Sequence, residues 1–350
     1  MDVVSYKCPN CGGGLSFDIQ RQDWRCAFCG GGFMLGDLER DEPGSQAGQE
    51  PDIAPPAETY GEDAAAFSCP SCGGRIITDR NTAATFCVYC HNPTVIASRL
   101  EDEYRPARLL PFKLEKQTVV DALLKLCRSR PLLPGDFREY ARKGEVSGLY
   151  VPFWLFDSDV DATLKATAQN ITRWGDSNYR YTKTDTFRVE RSASMHFAGI
   201  PADGSAKMDD RLMEALEPFD YKQMVDFSMQ YLSGHFAESY DVDQKDAAKR
   251  VMPRVRSGVE QLMRAQVGGY TSYQVNQLSS LPKNTSCEYV MLPVWVLMTR
   301  YHDKTYTFAM NGQTGKITGQ LPLSWGRFWA WFGGVAAAVT AVVCAGGLLL

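Results

Sequence analysis

Eight of the chain's eleven cysteines repeat one spacing, Cys-x2-Cys-x14-Cys-x2-Cys. They are Cys8, Cys11, Cys26 and Cys29, then Cys69, Cys72, Cys87 and Cys90, each 61 residues after its counterpart. Two close pairs of thiolates are the donor set of a tetrahedral Zn2+, because each Cys-x2-Cys bends the backbone into a knuckle that aims two sulfurs at one point. Two structural zinc sites are therefore expected. Four disulfides and four-thiolate iron are the other uses of such cysteines; paired knuckles favour metal over disulfides, and zinc over iron. With four thiolates and no nearby carboxylate, each site is closed to water and substrate, so its metal is expected to stabilise and not to catalyse. Modules of about 30 residues bury too little surface to fold alone, and the metal supplies the missing free energy. His91, directly after Cys90, is expected in the turn that follows the knuckle.

No other constellation has the form of an active site. Asp157, Asp159 and Asp161 open like a calcium loop, but Ala162 stands where Gly is required and Ala168 where the bidentate Glu belongs. Strand alternation explains the three better. The run NGQTGK at 311–316 lacks phosphate-loop spacing, and Ile317 follows its lysine, so it reads as a hairpin turn. His91, His196, His235 and His302 pair with no recognisable nucleophile, and Cys127, Cys287 and Cys344 have no signature context. No enzyme is expected. Nucleic acid is an unfavoured partner: near the first quartet Lys7, Arg21 and Arg25 are matched by Asp2, Asp18 and Asp23, which leaves no basic stripe. Trp24, Phe28, Phe86 and Tyr89 are expected to pad the metal sites rather than stack on bases.

The quartets must be carried by small β modules. Residues 1–36 read as a first ribbon and 67–98 as a second. Between them, 37–66 is acidic and rich in Pro, Gly and Ala, the composition of a disordered linker. Residues 104–323 read as a larger α+β domain with a mainly antiparallel sheet. In it, 116–128 repeats apolar residues at helical spacing, with Val119, Leu123 and Leu126 on one face. Trp154, Phe156, Val160, Ala162, Leu164 and Ala166 alternate with polar residues as in a long strand, and 179–197 reads as a second. Helices are expected over 209–216 and 243–266, the latter kinked or split at Pro253. A strand follows from about Tyr289. LYVPFWLF and VMLPVWVL share Pro-x-Trp, which suggests two related β units.

Net charge is −4 over 350 residues, so no global pull toward polyanions is evident. The N-terminus has no basic n-region or apolar h-region, so no signal peptide is expected. The 23 residues 328–350 carry no charge and would rise about 35 Å as a helix, enough for a bilayer core. Trp325, Trp329 and Trp331 cluster at its start beside Arg327, as at a lipid–water boundary. A transmembrane helix over 327–350 is expected, with the bilayer as a partner and the N-terminal bulk at the cytoplasmic face of the cell membrane.

YKCPNCGGGLSFD, WRCAFCG, AATFCVYCHNPT, LLPFKL, GLYVPFWLFD, EPFDY, LPVWVL and YTFAMNGQTGKITGQLP together resemble a bacterial family described as transcription-factor-IIB-type zinc-ribbon membrane proteins. The resemblance spans nearly the whole chain. It implies a double ribbon followed by a membrane segment, and a role as a platform for flotillin-like or phage-shock-type proteins. Some members are called replication-restart helicases, yet this chain has no nucleotide-binding loop. His91 departs from the glycine usual in the family, and its Cβ strains the turn without costing the metal. The resulting expectation is a membrane-anchored zinc-ribbon adaptor for protein partners, with a tethered nucleic-acid-binding regulator as the alternative.

Overall fold

The computed structural model describes residues 3–38, 64–73, 75–79, 81–87, 89–100 and 104–348, without the side chains of 64–66, 75 and 341–348. The first ribbon holds β1 (Val3–Val4), β2 (Leu15–Asp18), β3 (Asp23–Cys26), β4 (Gly32–Phe33) and the one-turn α1 (Leu35–Leu38). The second holds β5 (Ala64–Ser68), β6 (Arg75–Asp79), β7 (Thr82–Phe86) and β8 (Pro93–Ile96). Then come β9 (Arg108–Leu109), α2 (Lys116–Arg128), α3 (Phe137–Arg142), β10 (Glu145–Gly175), β11 (Arg180–Asp203), α4 (Asp210–Glu214), β12 (Val225–Asp226) and β13 (Phe236–Glu238). The chain continues through α5 (Gln244–Ala265), β14 (Ser272–Tyr301), β15 (Lys304–Asn311), β16 (Ile317–Gly319) and α6 (Trp325–Leu348). Most of the expected linker falls outside the described residues.

The chain forms two compact units, one of Met1–Val151, Met208–Ser239 and Met291–Leu350, the other of Pro152–Lys207 and Tyr240–Val290. β10 and β14 each run through both. Both ribbons belong to the first unit, which is α+β and mostly sheet. There β1 pairs with β8, β8 with β7, β7 with β13, and β13 runs parallel to β10 at Leu149↔Phe236. On the other side β14, β15 and β16 are antiparallel, with Val294 opposite Asn311. α2 buries Val119, Leu123 and Cys127, one residue per turn, so its 3.6-residue period fixes the face it turns inward.

In the second unit β10 and β11 are antiparallel from Phe153↔Asp203 to Gly175↔Arg180, with one register shift between Phe156 and Ser158. Val160, Ala162, Leu164, Ala166 and Ala168 are buried on one face, as the alternation requires. α5 packs against β11 and buries Ala247, Val251, Val255, Val259 and Met263. The helix is continuous through Pro253, so of the expected kink or split the split is absent. Ala247, Val251 and Val255 hold both sides of the proline to the core, so tertiary packing overrides the local breaker. The three-aspartate run lies on β10, where its carboxylates are engaged: Asp157 accepts from the Gly199 N–H at 2.7 Å, Asp159 lies 2.8 Å from His196, and Asp161 accepts from Ser194 at 2.7 Å.

The expected membrane span is not found. Among the described residues no helix is long and apolar enough to cross a membrane. α6 forms where the apolar run was read, and its described side chains are those of 325–340. They include Arg327, three tryptophans and the Gly333–Gly334 pair. Arg327 does not mark a lipid boundary: its guanidinium donates to the Leu133 carbonyl at 2.7 Å, and the Ser324 N–H donates to Leu132 at 2.9 Å. The remaining part of the 328–350 reading, the side chains from 341 and the backbone of 349–350, lies outside the described residues. With the span go the transmembrane element of the fold, the bilayer partner, and the single-pass cell-membrane and cytoplasmic-face placement that rested on it.

Candidate metal centres

Each quartet converges. The four sulfurs of Cys8, Cys11, Cys26 and Cys29 lie within 4.8 Å of one another, and so do those of Cys69, Cys72, Cys87 and Cys90. The closest pairs are Cys8–Cys29 at 3.5 Å and Cys11–Cys26 at 3.4 Å, and Cys69–Cys90 at 3.8 Å and Cys72–Cys87 at 3.7 Å. A tetrahedron of metal–sulfur bonds of about 2.3 Å has edges of about 3.8 Å, so the donor sets fit a tetrahedral ion. All eight thiols are free, which removes the disulfide alternative. Both clusters could hold a metal ion. In each, the first and third cysteines are buried and the second and fourth exposed.

The knuckles explain the convergence. The N–H of Gly12 donates to Cys8 at 2.8 Å, of Gly30 to Cys26 at 3.0 Å, of Gly73 to Cys69 at 2.9 Å, and of His91 to Cys87 at 2.9 Å. Four tight turns are thus closed the same way. All four closing residues are left-handed, with φ of 70°, 72°, 71° and 55°. Glycine meets that requirement at three of them, and His91 meets it as the sole residue with a Cβ. The thiol of Cys26 is drawn down to about 7, first by the Cys29 N–H, with a further contribution from that of Phe28 against desolvation. At Cys87 burial raises the pKa, but the N–H groups of Cys90 and Tyr89 outweigh it and bring the thiol to about 7. The equivalent cysteine in each ribbon is thereby prepared to bind as thiolate.

Local sequence alone does not hold the ribbons in place. In the first, Phe17 and Trp24 pack with Tyr231 at centroid distances of 5.2 and 5.0 Å. The Phe17 N–H donates to the Ser233 carbonyl at 3.0 Å, which extends β2 by a further contact. In the second, Phe86 packs edge-on against Phe236 at 5.3 Å, and the Arg99 guanidinium sits over the Phe67 ring at 5.1 Å. The ribbons also meet each other: Val3 pairs with Ile96, and a Cβ on Gly14 would strike the Asn92 side chain. The short sequences give no sign of these contacts. They were missed because their partners lie far along the chain.

Of the four aromatics expected to pad the metal sites, Trp24 is buried and Phe86 half-buried, whereas Phe28 is 81% and Tyr89 68% exposed. Phe28 and Tyr89 occupy the same position of the second knuckle, and their separation repeats the 61-residue offset. Near the first quartet the charge of Arg25 is spent locally, since it lies 3.5 Å from both Asp18 and Asp23. The 311–316 run is a turn. The Asn311 carboxamide accepts from the N–H groups of Gln313 and Thr314 at 2.9 Å and donates to the Leu216 carbonyl at 3.1 Å. The remaining histidines are scattered: His196 on β11, His235 in the first unit's core, and His302 in the β14–β15 turn.

No family model matches the chain, and no solved structure matches it. The chain is 33% identical over 334 residues to a protein of Bacillus subtilis (strain 168) named "Uncharacterized protein YdjG", a match that covers 95% of this chain and 94% of that one. At that identity and coverage, the chain belongs to the same family as YdjG.

Proposed function

We infer that both quartets hold Zn2+ and that the protein is a non-enzymatic adaptor whose metal-stiffened knuckles dock other proteins. The observation that carries this reading is the pair Phe28 and Tyr89, large aromatic side chains left exposed at equivalent knuckle positions. Rigid exposed aromatics of this kind anchor protein interfaces at small entropic cost. Closed four-thiolate coordination supports a structural metal, since no position remains for water or substrate. The pairing of Arg25 with two aspartates counts against nucleic acid, whose affinity depends on unspent cationic charge. The flotillin-like and phage-shock-type proteins that the sequence resemblance suggests are the first partners to test.

Metal analysis of the purified full-length chain should return about two zinc per molecule, and Cys11→Ser should return about one. A photo-crosslinking residue at position 28 and another at 89 should capture one and the same protein, and chelation should abolish capture. Red, iron-containing protein would overturn the metal assignment. Tight oligonucleotide binding with a steep salt dependence, and no protein captured at either position, would overturn the adaptor.

A further inference from the structure

We propose that the free edge of β11 in the second unit binds an extended protein segment that alternates acidic and apolar residues. This goes beyond the knuckle reading, uses no cysteine of either quartet, and shares with it only the premise that the partner is a protein.

Among the described residues β11 pairs with β10 alone, and β14 borders β10 on the other side. From Ser158↔Phe197 to Gly175↔Arg180 the pairing runs without a register shift. An edge of this length exposes a row of N–H and C=O groups that natural proteins usually block with proline, bulges or a covering element. β14 carries such a block in Pro282, whereas β11 has no proline before Pro201.

The two faces beside this edge differ. On the face that α5 covers further along, Trp174 stacks on Tyr181 at 5.6 Å and 17°, and Phe187 packs with Tyr270 at 5.6 Å. Trp174, Tyr181 and Phe187 remain 52%, 42% and 40% exposed. The opposite face presents Arg173, Arg180 and Arg188, since these sit in register with Thr182, Gly175 and Thr167. None of the three guanidiniums has an ion pair or hydrogen bond among the described residues. Nearby acids are already engaged: Asp185 with Lys183 at 2.9 Å, Glu190 with Lys165 at 3.7 Å, and Asp176 with the N–H groups of Asn178 and Tyr179 at 2.9 and 2.8 Å.

This arrangement selects the occupant. Single-stranded nucleic acid needs stacking rings and cations in one groove, but here they lie on opposite faces of a sheet. A bilayer is disfavoured because the turn at the tip is polar, Asp176-Ser177-Asn178. A peptide added as a strand sends alternate side chains to opposite faces. Acidic residues would then meet Arg180 and Arg188, about 27 Å apart along the strand, while apolar residues cover Tyr181 and Phe187.

The test uses the full-length protein and a labelled peptide of about twelve alternating Glu and Val residues, long enough to span both arginines. Binding should be measurable and should weaken at least tenfold in Arg180→Glu/Arg188→Glu, whose exposed positions leave the fold intact by circular dichroism. N-methylation of alternate peptide nitrogens should abolish binding in one phase and spare it in the other. The proposal is overturned if the peptide does not bind, if both methylated forms bind equally, or if the double variant binds as well as the parent. It is also overturned if these arginines instead support dimerisation of the chain or retention of oligothymidylate. Oligothymidylate retention joined to a failure of protein capture at positions 28 and 89 would sink the knuckle reading as well, whereas simple failure of the peptide leaves it standing.

Discussion

The indole Nε1 of Trp24 donates to the main-chain carbonyl of Gln230 at 2.8 Å, joining the first ribbon to a segment 206 residues away. Trp24 is buried and its ring packs with Phe17 and Tyr231. Trp24→Phe keeps an aromatic ring but strands the Gln230 carbonyl, at a cost of about 1–2 kcal/mol. Trp24→Ala adds a cavity and should cost about 3–5 kcal/mol. Urea unfolding of the metal-loaded protein measures both, and equal midpoints for Trp24→Phe and parent would show that the bond contributes nothing.

His91 is the fourth member of a set whose other three are glycines, all left-handed. A Cβ in that region costs about 1–2 kcal/mol, partly offset by the greater freedom of glycine in the unfolded chain. His91→Gly should therefore raise stability by about 0.5–1 kcal/mol. Gly73→Ala should lower it by a similar amount, because space around Gly73 is open and only the backbone is strained. Thermal melts of the two variants should shift in opposite directions.

His235 is buried and stacked on Phe112 at 4.4 Å, with Tyr150 edge-on at 5.6 Å. Its Nε2 has no hydrogen-bond partner among the described residues. Burial pushes its pKa down from 6.5 to about 4. The unfolded chain then takes up the proton first, so the contribution is complete above about pH 6.5 and is lost as pH falls toward 4. At pH 5 the loss amounts to about 2 kcal/mol. His235→Leu should remove that component. The difference in unfolding free energy between pH 7 and pH 5 should shrink by this amount in the variant, and an unchanged difference would refute the assignment.

In the second unit Arg250 pairs with the buried Asp203 carboxylate at 2.8 Å and also donates to its main-chain oxygen. Arg250→Met removes the countercharge from a carboxylate shielded from water and should cost about 3–5 kcal/mol. Adding Asp203→Asn should recover much of that loss, because the buried charge goes with its partner. A double variant as unstable as Arg250→Met would show that packing by the arginine stem, and not charge, is what matters.

The parts of the structure visible in the sequence are those set by local spacing. The cysteine knuckles, the alternation from Val160 to Ala166, and the helical spacing of Val119 and Leu123 each follow from backbone geometry over a few residues, although Cys127 and not Leu126 completes the buried face of that helix. What stayed hidden depended on distant partners. Residues 272–288 form the start of β14 although their Asn, Ser and Pro content resembles a loop; neighbouring β10 supplies the pairing, as in the Asn276–Thr167 bond at 2.9 Å. α5 crosses Pro253 because the core holds both flanks. The apolar run at 328–350 was read as a span from its length and lack of charge, whereas among the described residues no helix is long and apolar enough to cross a membrane.

The bond from Trp24 to Gln230 also has a time scale. A ribosome adding about 5–20 residues per second needs about 10–40 s to reach position 230 after synthesising position 24. During that interval the first ribbon has no Tyr231 or Ser233 to pack against, while all four of its thiols have already been made. On the metal reading proposed above, capture of the ion is the stabilising event open to it so early. A cell starved of the metal would therefore expose nascent chains with unprotected cysteines long before the rest of the protein could shield them.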